Sequence, residues 1–332
     1  MKLNVGIIGF GVGEQHIQGF RKAGVNVVAI CDKNPEKREE AKKKYPNCKI
    51  FEKSKSIINS DDIDIVSIAS YDQDHFYQVI DSINSNKHVF CEKPLCTNEK
   101  ELKAIRQATK KKPRIKLSTN TILRMSERFR DIYQKIKLKK FGKIFSVEGD
   151  YNYGRLHKIT QGWRSHVKNY SVILGGGIHL VDLLLWYVNS PIIEVYAVGN
   201  NICSKNSRFK YNDMVSSLVR FENGVIGKIS ANFGCVHPHS HKLVVYGTKA
   251  TFVNDGSNGF FFESRDPKKK PKNLKSKYPG LQKGDLIPSF VNSIRGVSKA
   301  VVDKETVFNV MSTCIAIDKS LTTKKPQKVK FY

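Results

Sequence analysis

Residues 5–16 read VGIIGFGVGEQH and place three glycines directly after a short apolar run. Residues Leu3–Gly9 have the continuous apolar character of a strand that is buried on both faces. An amphipathic stretch that is typical of a helix follows to about Ala23. Glycines between a strand and a helix permit a tight turn and let backbone N–H groups approach a pyrophosphate closely. The spacing is G-x-G-x-G, so Glu14 stands where the usual fingerprint has its third glycine.

The alternation of strand and helix continues through the N-terminal third of the chain. Further strands are predicted at Asn26–Cys31, Ile63–Ser70, His88–Cys91 and Arg114–Asn120. Helices are predicted to begin near Pro35, Gln73 and Thr97, and Thr97 is the predicted N-cap of its helix. Such an alternation predicts a doubly wound parallel sheet, the Rossmann arrangement, in an α/β domain over residues 1–121.

From residue 122 the pattern changes, and residues 122–332 are predicted to form a second, α+β domain. Its helices are predicted at Ser126–Lys140, Gly177–Val188 and near 285–303 and 305–320, and its strands at Lys143–Tyr153, Ile193–Asn200, Met214–Glu222, Val225–Phe233, Lys242–Tyr246, Ala250–Asn254 and Gly259–Glu263. Asn223-Gly224 is a strong hairpin signal between two of these strands. The domain is therefore expected to contain an open, mainly antiparallel sheet covered by helices.

The composition excludes several classes of protein. With 332 residues, 40% of them hydrophobic, the chain can bury a large core, which argues against wholesale disorder. No run approaches the roughly 20 apolar residues of a membrane helix, and residues 1–10 make a poor signal peptide, so a cytoplasmic protein is expected. The seven cysteines are scattered without a C-x-x-C pair, which predicts reduced thiols instead of disulfides or a zinc site.

The formal net charge of +27 is the unusual feature of the composition. The lysine clusters are dispersed and lack interleaved aromatic residues, so specific nucleic-acid binding is not expected. The plain interpretation is a lysine-rich compositional bias, since lysine, asparagine and isoleucine are abundant throughout the sequence. An anionic small-molecule substrate is the functional alternative.

Asp32 ends the second predicted strand, about 20 residues after the glycines. A carboxylate at that point accepts hydrogen bonds from the adenosine ribose and repels a 2′-phosphate, which favours NAD over NADP. Lys33 beside it keeps NADP as an alternative, since a cation there would accept the additional phosphate. The other interpretation of Asp32 is a helix-capping acid before Asn34-Pro35.

Three segments together carry a family resemblance: residues 9–16 (GFGVGEQH), 87–95 (KHVFCEKPL) and 175–182 (GGGIHLVD). In this order and spacing they resemble the glucose–fructose oxidoreductase / inositol dehydrogenase / MocA (Gfo/Idh/MocA) family, and the Glu-Lys-Pro step is the most specific part. The resemblance implies NAD(P)-dependent hydride transfer between a nicotinamide and a secondary hydroxyl or ketone of a sugar, polyol or nucleotide sugar. It also implies a homodimer or homotetramer that forms through the exposed sheet face of the second domain.

The resemblance also implies the roles of individual residues. Lys93 is similar to the family's active-site lysine, followed by a proline that is often cis, and His179 is similar to its catalytic histidine. Physically, an ammonium stabilises a developing alkoxide, and an imidazole takes up the hydroxyl proton. Asp182 lies three residues after His179 on the same helix face, where it would orient the ring.

The remaining site residues follow from the same motifs and from their position after strands or in loops. The predicted cofactor contacts are Gly9, Phe10, Gly11, Val12, Gly13, Asp32, Ser70, His75, Glu92 and Lys93. The predicted substrate contacts are Asn120, Arg124, Arg155, Trp163 and Arg164. Arginines suit a carboxylate or phosphate, and a tryptophan suits stacking on a sugar or base.

The chain departs from the family at one position. Many members carry an aspartate four residues before the histidine, and this chain has Gly175 there. Either Lys93 and His179 suffice, or another group such as Tyr153 or Tyr170 takes the place of the acid. The missing acid also keeps open a non-catalytic dinucleotide-binding sensor on the same fold. A separate enzymatic alternative is a reductase of a keto-sugar or of an unsaturated non-sugar substrate.

A histidine-rich run occupies residues 237–241 (HPHSH). Alternate residues of an extended segment share a face, so His237, His239 and His241 form a candidate Zn²⁺ or Ni²⁺ site. No nearby acid completes the ligand set, although Cys235 is close in sequence. We therefore expect no bound metal and instead a place for this run on a sheet edge or at an oligomer interface.

Overall fold

The computed structural model describes residues 2–332, and these form two compact units. The first unit contains a six-stranded parallel sheet with the strand order 3-2-1-4-5-6. Its strands are β1 (Asn4–Ile8), β2 (Asn26–Cys31), β3 (Lys49–Phe51), β4 (Ile65–Ile68), β5 (His88–Cys91) and β6 (Leu117–Thr119). Its first helices are α1 (Phe10–Lys22), α2 (Pro35–Lys44), α3 (Ser54–Ile58), α4 (Asp72–Asn84) and α5 (Glu99–Lys111). This confirms the predicted Rossmann arrangement, whose strand order reverses between β1 and β4.

Two local features of the first unit differ from the prediction. The sequence analysis did not predict β3 and α3, because a strand of three residues and a helix of five leave almost no periodic pattern. The N-cap of α5 is Asn98 instead of Thr97, since the Asn98 side chain accepts a hydrogen bond from the Glu101 backbone N–H at 3.0 Å. Thr97 donates its own backbone N–H to the Glu101 carboxylate at 2.8 Å, so the cap begins one residue later.

The chain passes from the first unit to the second after Ile122 and later returns to the first. The first unit ends at Ile122, yet it also includes the segment Leu281–Phe308. Helix α9 (Ile287–Ile294) in that segment packs on the first unit, with the rings of Phe290 and Phe90 at 5.6 Å. Such a long-range return of the chain leaves no local pattern in the sequence.

The second unit is built on a nine-stranded sheet. Its strands are β7 (Ile144–Asn152), β8 (Ile192–Asn200), β9 (Met214–Phe221), β10 (Ile226–Asn232), β11 (Ser240–Gly247), β12 (Thr251–Asn254), β13 (Gly259–Phe262), β14 (Lys272–Asn273) and β15 (Gln327–Lys328). The spatial order is 14-13-12-11-7-10-9-8-15. Only the β7–β10 pair is parallel among these described strands, so the sheet is mixed and, as predicted, mainly antiparallel. Asn223-Gly224 joins β9 to β10 as a hairpin, with Gly224 at φ +86°.

Helix α8 (Ile178–Val188) packs on β7 of this sheet, and Ser320 of α10 (Lys304–Thr323) accepts a hydrogen bond from the backbone of β8. The second unit also contains α6 (Glu127–Lys137), which packs on α8, and the short helix α7 (His157–Thr160). Helix α8 lies so close to β7 that a β-carbon at Gly149 would be 3.1 Å from the β-carbon of Leu180. A π-helical turn, Ile173–Gly177, leads directly into α8.

The alternate residues of the sheet point away from those helices. Tyr196, Val198, Leu218 and Ile226 are 41%, 56%, 64% and 59% exposed, whereas Val195 and Val219 are buried. Within the described part of the chain, no helix combines the length and the apolar composition that crossing a bilayer requires.

Candidate active site

The three glycines after β1 have different structural roles. Gly9 has φ +90°, and a β-carbon there would lie 2.4 Å from the carbonyl oxygen of Ala69, so this turn requires glycine. A β-carbon at Gly13 would lie 2.8 Å from the Ile7 side chain, so Gly13 allows α1 to pack on β1. A β-carbon at Gly11 would meet nothing within 4 Å, which leaves open space for a pyrophosphate beside the backbone. Gly13 thus takes the packing role of the usual third glycine.

The carboxylate of Asp32 lies beside this glycine turn. It accepts hydrogen bonds from the backbone N–H of Phe10 at 2.7 Å and of Asn34 at 2.8 Å, and so ties the end of β2 to the start of α1. Asn34, not Asp32, caps α2, because its side chain accepts from the Glu36 backbone N–H at 2.8 Å. The ammonium of Lys33 forms an ion pair with Asp74 at 3.0 Å. Asp32 is therefore not the residue that caps α2, and its contact with the ribose of the cofactor stays a prediction.

The turn after β5 carries Lys93 and contains a cis Lys93–Pro94 peptide bond, as the family resemblance implied. The buried ring of His75 holds this turn, with Nδ1 2.6 Å from the Pro94 carbonyl oxygen and Nε2 3.2 Å from the Ser70 carbonyl oxygen. The Ser70 hydroxyl donates to Gln78 at 2.7 Å. His75 thus links the ends of β4 and β5, and its direct contact with a cofactor stays a prediction.

Glu92, directly before the lysine, lies in a buried polar network. Its Oε1 accepts a hydrogen bond from Asn120 at 2.7 Å and lies 3.2 Å from Nε2 of His16, whose Nδ1 is 2.9 Å from the Ser67 hydroxyl. Burial by itself raises the pKa of Glu92, but the charge of Lys283 and the hydrogen bond from His16 outweigh it and hold the pKa below its usual range. Glu92 is therefore a buried anion that is fixed by its neighbours.

Asn120 belongs to this network as well. Its side chain is fully buried and also donates to the carbonyl oxygen of Lys283 at 2.9 Å. The sequence motifs assign no role to His16 and place Asn120 with the substrate, because neither the network nor the return of the chain at Lys283 has a local signal. The substrate contact of Asn120 stays a prediction.

In the second unit, His179 is 6% exposed and lies in the first turn of α8. Its ring stacks on Tyr151 of β7, with centroids 6.3 Å apart and 23° between the planes. A β-carbon at Gly176 would lie 2.3 Å from the Tyr151 ring, so the glycine run allows this aromatic ring to reach the helix backbone. The sequence analysis did not identify Tyr151.

Asp182 forms a buried ion pair with Arg124. The guanidinium donates from Nε and Nη2 to the two carboxylate oxygens, each at 2.8 Å. Asp182 is fully buried and Arg124 is 6% exposed, so this bidentate pair is shielded from solvent. Asp182, a predicted catalytic residue, and Arg124, a predicted substrate contact, are therefore partners of each other. The orientation of His179 by Asp182 and the substrate contact of Arg124 stay predictions.

The other predicted substrate residues gather around Tyr151. The guanidinium of Arg155 lies 5.4 Å from the ring centroid of Tyr153, and that of Arg164 lies 4.5 Å from the ring of Trp163. Burial and the neighbouring phenol groups raise the pKa of Tyr151, and the charges of Arg164 and Arg155 oppose this shift. Arg155 is therefore connected to Tyr151 through the ring of Tyr153, which stacks on Tyr151 with centroids 5.9 Å apart.

The histidine run does not have the predicted geometry. His237 is exposed and precedes β11, whereas His241 lies within β11, a strand paired on both sides, and not on a sheet edge. The ring of His241 is 4.9 Å from that of His239 and 6.4 Å from that of His179, and its Nδ1 lies 2.7 Å from the Tyr278 hydroxyl. Within residues 2–332, no group of three or more histidines, cysteines or acids is arranged to hold a metal ion.

Comparisons with known proteins agree with this description. The chain is 26% identical over 203 residues to an inositol 2-dehydrogenase of Salmonella typhimurium, and this match spans 59% of the chain and 58% of the relative. A levoglucosan dehydrogenase in complex with NADH is 20% identical, with a TM-score of 0.87 over 100% of both chains. The WlbA dehydrogenase of Bordetella pertussis, in complex with NADH and UDP-GlcNAcA, is 20% identical, with a TM-score of 0.84 over 100% of both chains.

Two family models match the chain. Residues 3–121 match an oxidoreductase family with an NAD-binding Rossmann fold, and residues 129–253 match the GFO/IDH/MocA C-terminal domain. These matches cover more than half of the chain and include the glycine turn, the Glu-Lys-Pro step and the helix of His179. The chain therefore belongs to the Gfo/Idh/MocA family of oxidoreductases, and its first unit is an NAD-binding Rossmann domain.

Proposed function

We propose that the protein is an NAD-dependent dehydrogenase that acts on a secondary hydroxyl of a sugar, polyol or nucleotide sugar. The observation that carries the proposal is the joint presence of Lys93 and His179, each held in a specific surrounding. Lys93 follows the buried anion Glu92 and lies in a turn bonded by His75. His179 is nearly buried at the start of α8 and stacks on Tyr151.

The chemistry follows from these two side chains. Bound NAD⁺ supplies the hydride acceptor. The Lys93 ammonium donates a hydrogen bond to the substrate hydroxyl oxygen and stabilises the negative charge that develops as the carbonyl forms. A ring nitrogen of His179 takes the hydroxyl proton, and it returns that proton when the reaction runs toward reduction.

The first unit has the groups that a dinucleotide needs. The open space beside Gly11 suits the pyrophosphate, and the Asp32 carboxylate suits the adenosine ribose. Lys33 forms an ion pair with Asp74, which reduces its capacity to accept a 2′-phosphate. These features support NAD in preference to NADP.

The positive charge of the chain supports an anionic substrate, such as a nucleotide sugar. Arg155 and Arg164 lie near Tyr151, which stacks on His179, and guanidinium groups bind phosphates in a bidentate manner. With such a substrate KM should rise with ionic strength, whereas with a neutral polyol it should not. A panel of inositols, anhydrosugars and UDP-sugars, measured at low and high salt, distinguishes these classes.

The proposal is tested by following the formation of NADH through its absorbance. Wild-type protein should produce NADH from NAD⁺ and at least one substrate of this panel. Gly175 lacks the side chain of the family acid and favours the second candidate function, a sensor that binds NAD⁺ and turns over nothing. Calorimetric binding of NAD⁺ without NADH formation, and without NADH consumption by the matching keto-sugars, would support the sensor. Consumption of NADH only with an unsaturated non-sugar substrate would support a different reductase.

We also propose that the exposed sheet face, defined by Tyr196, Val198, Leu218 and Ile226, is the contact between copies of this chain in a cytoplasmic homodimer or homotetramer. Its apolar side chains lie on neighbouring strands, since Leu218 pairs with Tyr196 in the sheet register. Exposed apolar patches on a sheet favour association. The molar mass in solution, measured by light scattering, tests this.

A further inference from the structure

Position 175 has no side chain, and another residue occupies the space. A β-carbon at Gly175 would lie 2.2 Å from the hydroxyl oxygen of Tyr170 and 2.9 Å from its ring carbon Cζ. Both distances are far below the contact of two non-bonded atoms. The Tyr170 hydroxyl therefore lies against the α-carbon of Gly175, where the side chain of any other residue would begin.

This place is next to His179. Residues four apart in a helical turn are neighbours on the same face, so a side chain at 175 would point toward that of His179. A path of aromatic contacts also connects Tyr170 with His179. Tyr170 packs edge-on to Phe233 at 6.3 Å, Phe233 lies 5.8 Å from Tyr151, and Tyr151 stacks on His179.

The Tyr170 hydroxyl lies in a shielded and polar environment. Its oxygen is buried although the residue as a whole is half-buried. The phenol is close enough to Tyr151 to contribute to the raised pKa of that residue, after the larger effect of burial. The guanidinium of Arg164 lies 5.9 Å from the ring centroid of Tyr170. A shielded hydroxyl forms stronger hydrogen bonds than one in water.

We propose that Tyr170 is a positioning residue for His179, and that its hydroxyl takes the place of the side chain that position 175 lacks. When the imidazole takes up its proton, the hydroxyl accepts a hydrogen bond from it, and this bond orients the ring and stabilises its charged form. The importance of this for turnover rests on the proposed function, in which His179 takes the substrate proton. Tyr153 is the competing candidate, but its ring packs on Phe233 and His239, at 4.6 and 5.4 Å.

The first experiment removes one hydroxyl group at a time. Tyr170→Phe should lower kcat about tenfold, leave the Kd for NAD⁺ unchanged and move the acidic limb of the kcat/KM–pH profile to lower pH by about one unit. Tyr211→Phe is the matched control, because the rings of Tyr170 and Tyr211 both pack on Phe209. The described hydrogen bonds of the Tyr211 hydroxyl join it to the backbone of Val167 and Asn169, in the segment before Tyr170. Tyr211→Phe should lower the melting temperature without moving the pH profile. An unchanged profile in Tyr170→Phe, or the same effect in Tyr153→Phe alone, overturns the proposal.

The second experiment exchanges the two positions. Gly175→Asp alone should lower activity, because its β-carbon displaces the Tyr170 hydroxyl from this place. Tyr170→Ala alone should lose activity because it removes the hydroxyl. The double variant Tyr170→Ala/Gly175→Asp should be at least fivefold more active than either single variant, since a carboxylate then occupies the freed space. A double variant no better than Tyr170→Ala overturns the exchange.

A third measurement does not depend on turnover. The pKa of His179 is followed by NMR in protein labelled at its histidine rings, with His179→Gln to assign the signal. Tyr170→Phe should lower this pKa by about one unit, the size of one charge-assisted hydrogen bond. If wild-type protein oxidises no substrate but this shift is present, the proposed function fails and the positioning role stands. If the shift is absent, the positioning role fails, whatever the activity.

Discussion

Single residues set the local structure of the first unit, where long-range hydrogen bonds hold the turn around Lys93. The His75 ring forms a hydrogen bond with the Pro94 carbonyl. The Glu92 carboxylate accepts a hydrogen bond from Asn120 and lies 3.2 Å from the His16 ring, and both partners come from distant parts of the chain. A catalytic ammonium is effective only when it is fixed before the charge develops. The buried network therefore explains how one lysine among the many in this chain acquires a specific position.

The first residue-scale prediction concerns this lysine. Lys93→Ala should lower kcat/KM about a hundredfold, the scale of a lost transition-state donor, and should leave the Kd for NAD⁺ nearly unchanged. Steady-state kinetics and calorimetry measure the two quantities. Lys100→Ala, an exposed lysine on α5, is the control and should behave as wild type. Wild-type turnover in Lys93→Ala would exclude this lysine from the chemistry.

The second residue-scale prediction concerns coenzyme choice. Asp32→Ser removes the charge that opposes a 2′-phosphate and should lower the ratio of kcat/KM for NAD⁺ to that for NADP⁺ by about tenfold. Since Asp32 also bonds the Phe10 backbone N–H, a modest fall in melting temperature should accompany the change. The exposed Asp61→Ser should alter neither quantity. A ratio that stays at the wild-type value would assign coenzyme choice to another group.

At the scale of elements, polar contacts hold helix α8 itself and the start of the π-helical turn that precedes it. Asp182 of α8 pairs with Arg124, and Asp318 of α10 accepts a hydrogen bond from Ser171 at 2.8 Å. The Ser171 hydroxyl also accepts the backbone N–H of Leu174 at the start of the π-helical turn. These contacts fix the helix that presents His179.

The buried ion pair gives a stability prediction. Arg124→Met leaves the Asp182 carboxylate buried without its bidentate partner and should cost about 3–5 kcal/mol in the free energy of unfolding. Chemical denaturation measures this. Arg130→Met on the exposed side of α6 should cost less than about 0.5 kcal/mol. A similar small cost for Arg124→Met would mean that the pair contributes little to the fold.

Asp318 gives a pH-dependent prediction. Burial raises the pKa of Asp318 from its usual value to about 7, and the Ser171 hydrogen bond opposes part of that shift. A raised pKa means that the native state binds this proton more tightly, so Asp318 destabilises the protein progressively as pH rises from about 4 to about 7. Asp318→Asn should therefore raise the melting temperature at pH 8 and change it little at pH 4. An equal effect at both pH values would contradict this.

At the scale of the whole molecule, the sheet of the second unit has one face under helices and one face with exposed apolar residues. If that face joins copies of the chain, Leu218→Lys should reduce the molar mass measured by light scattering toward that of the 37.7 kDa chain, because it places a charge in an apolar interface. Ile202→Lys, an exposed apolar residue outside the strands, should leave the mass unchanged. A mass that stays oligomeric in Leu218→Lys would assign the contact to another surface.

The amino-acid sequence by itself determined the class of each domain, the glycine turn and the positions of Lys93, Asp32 and His179. These features depend on local periodicity and on short motifs, which neighbouring residues encode. Only the tertiary structure decided which side chains are partners: Asn120 with the Lys283 carbonyl, Arg124 with Asp182, and Tyr170 with the bare backbone of Gly175. Such pairs form when distant segments pack, and no local pattern of the chain records which segments will meet.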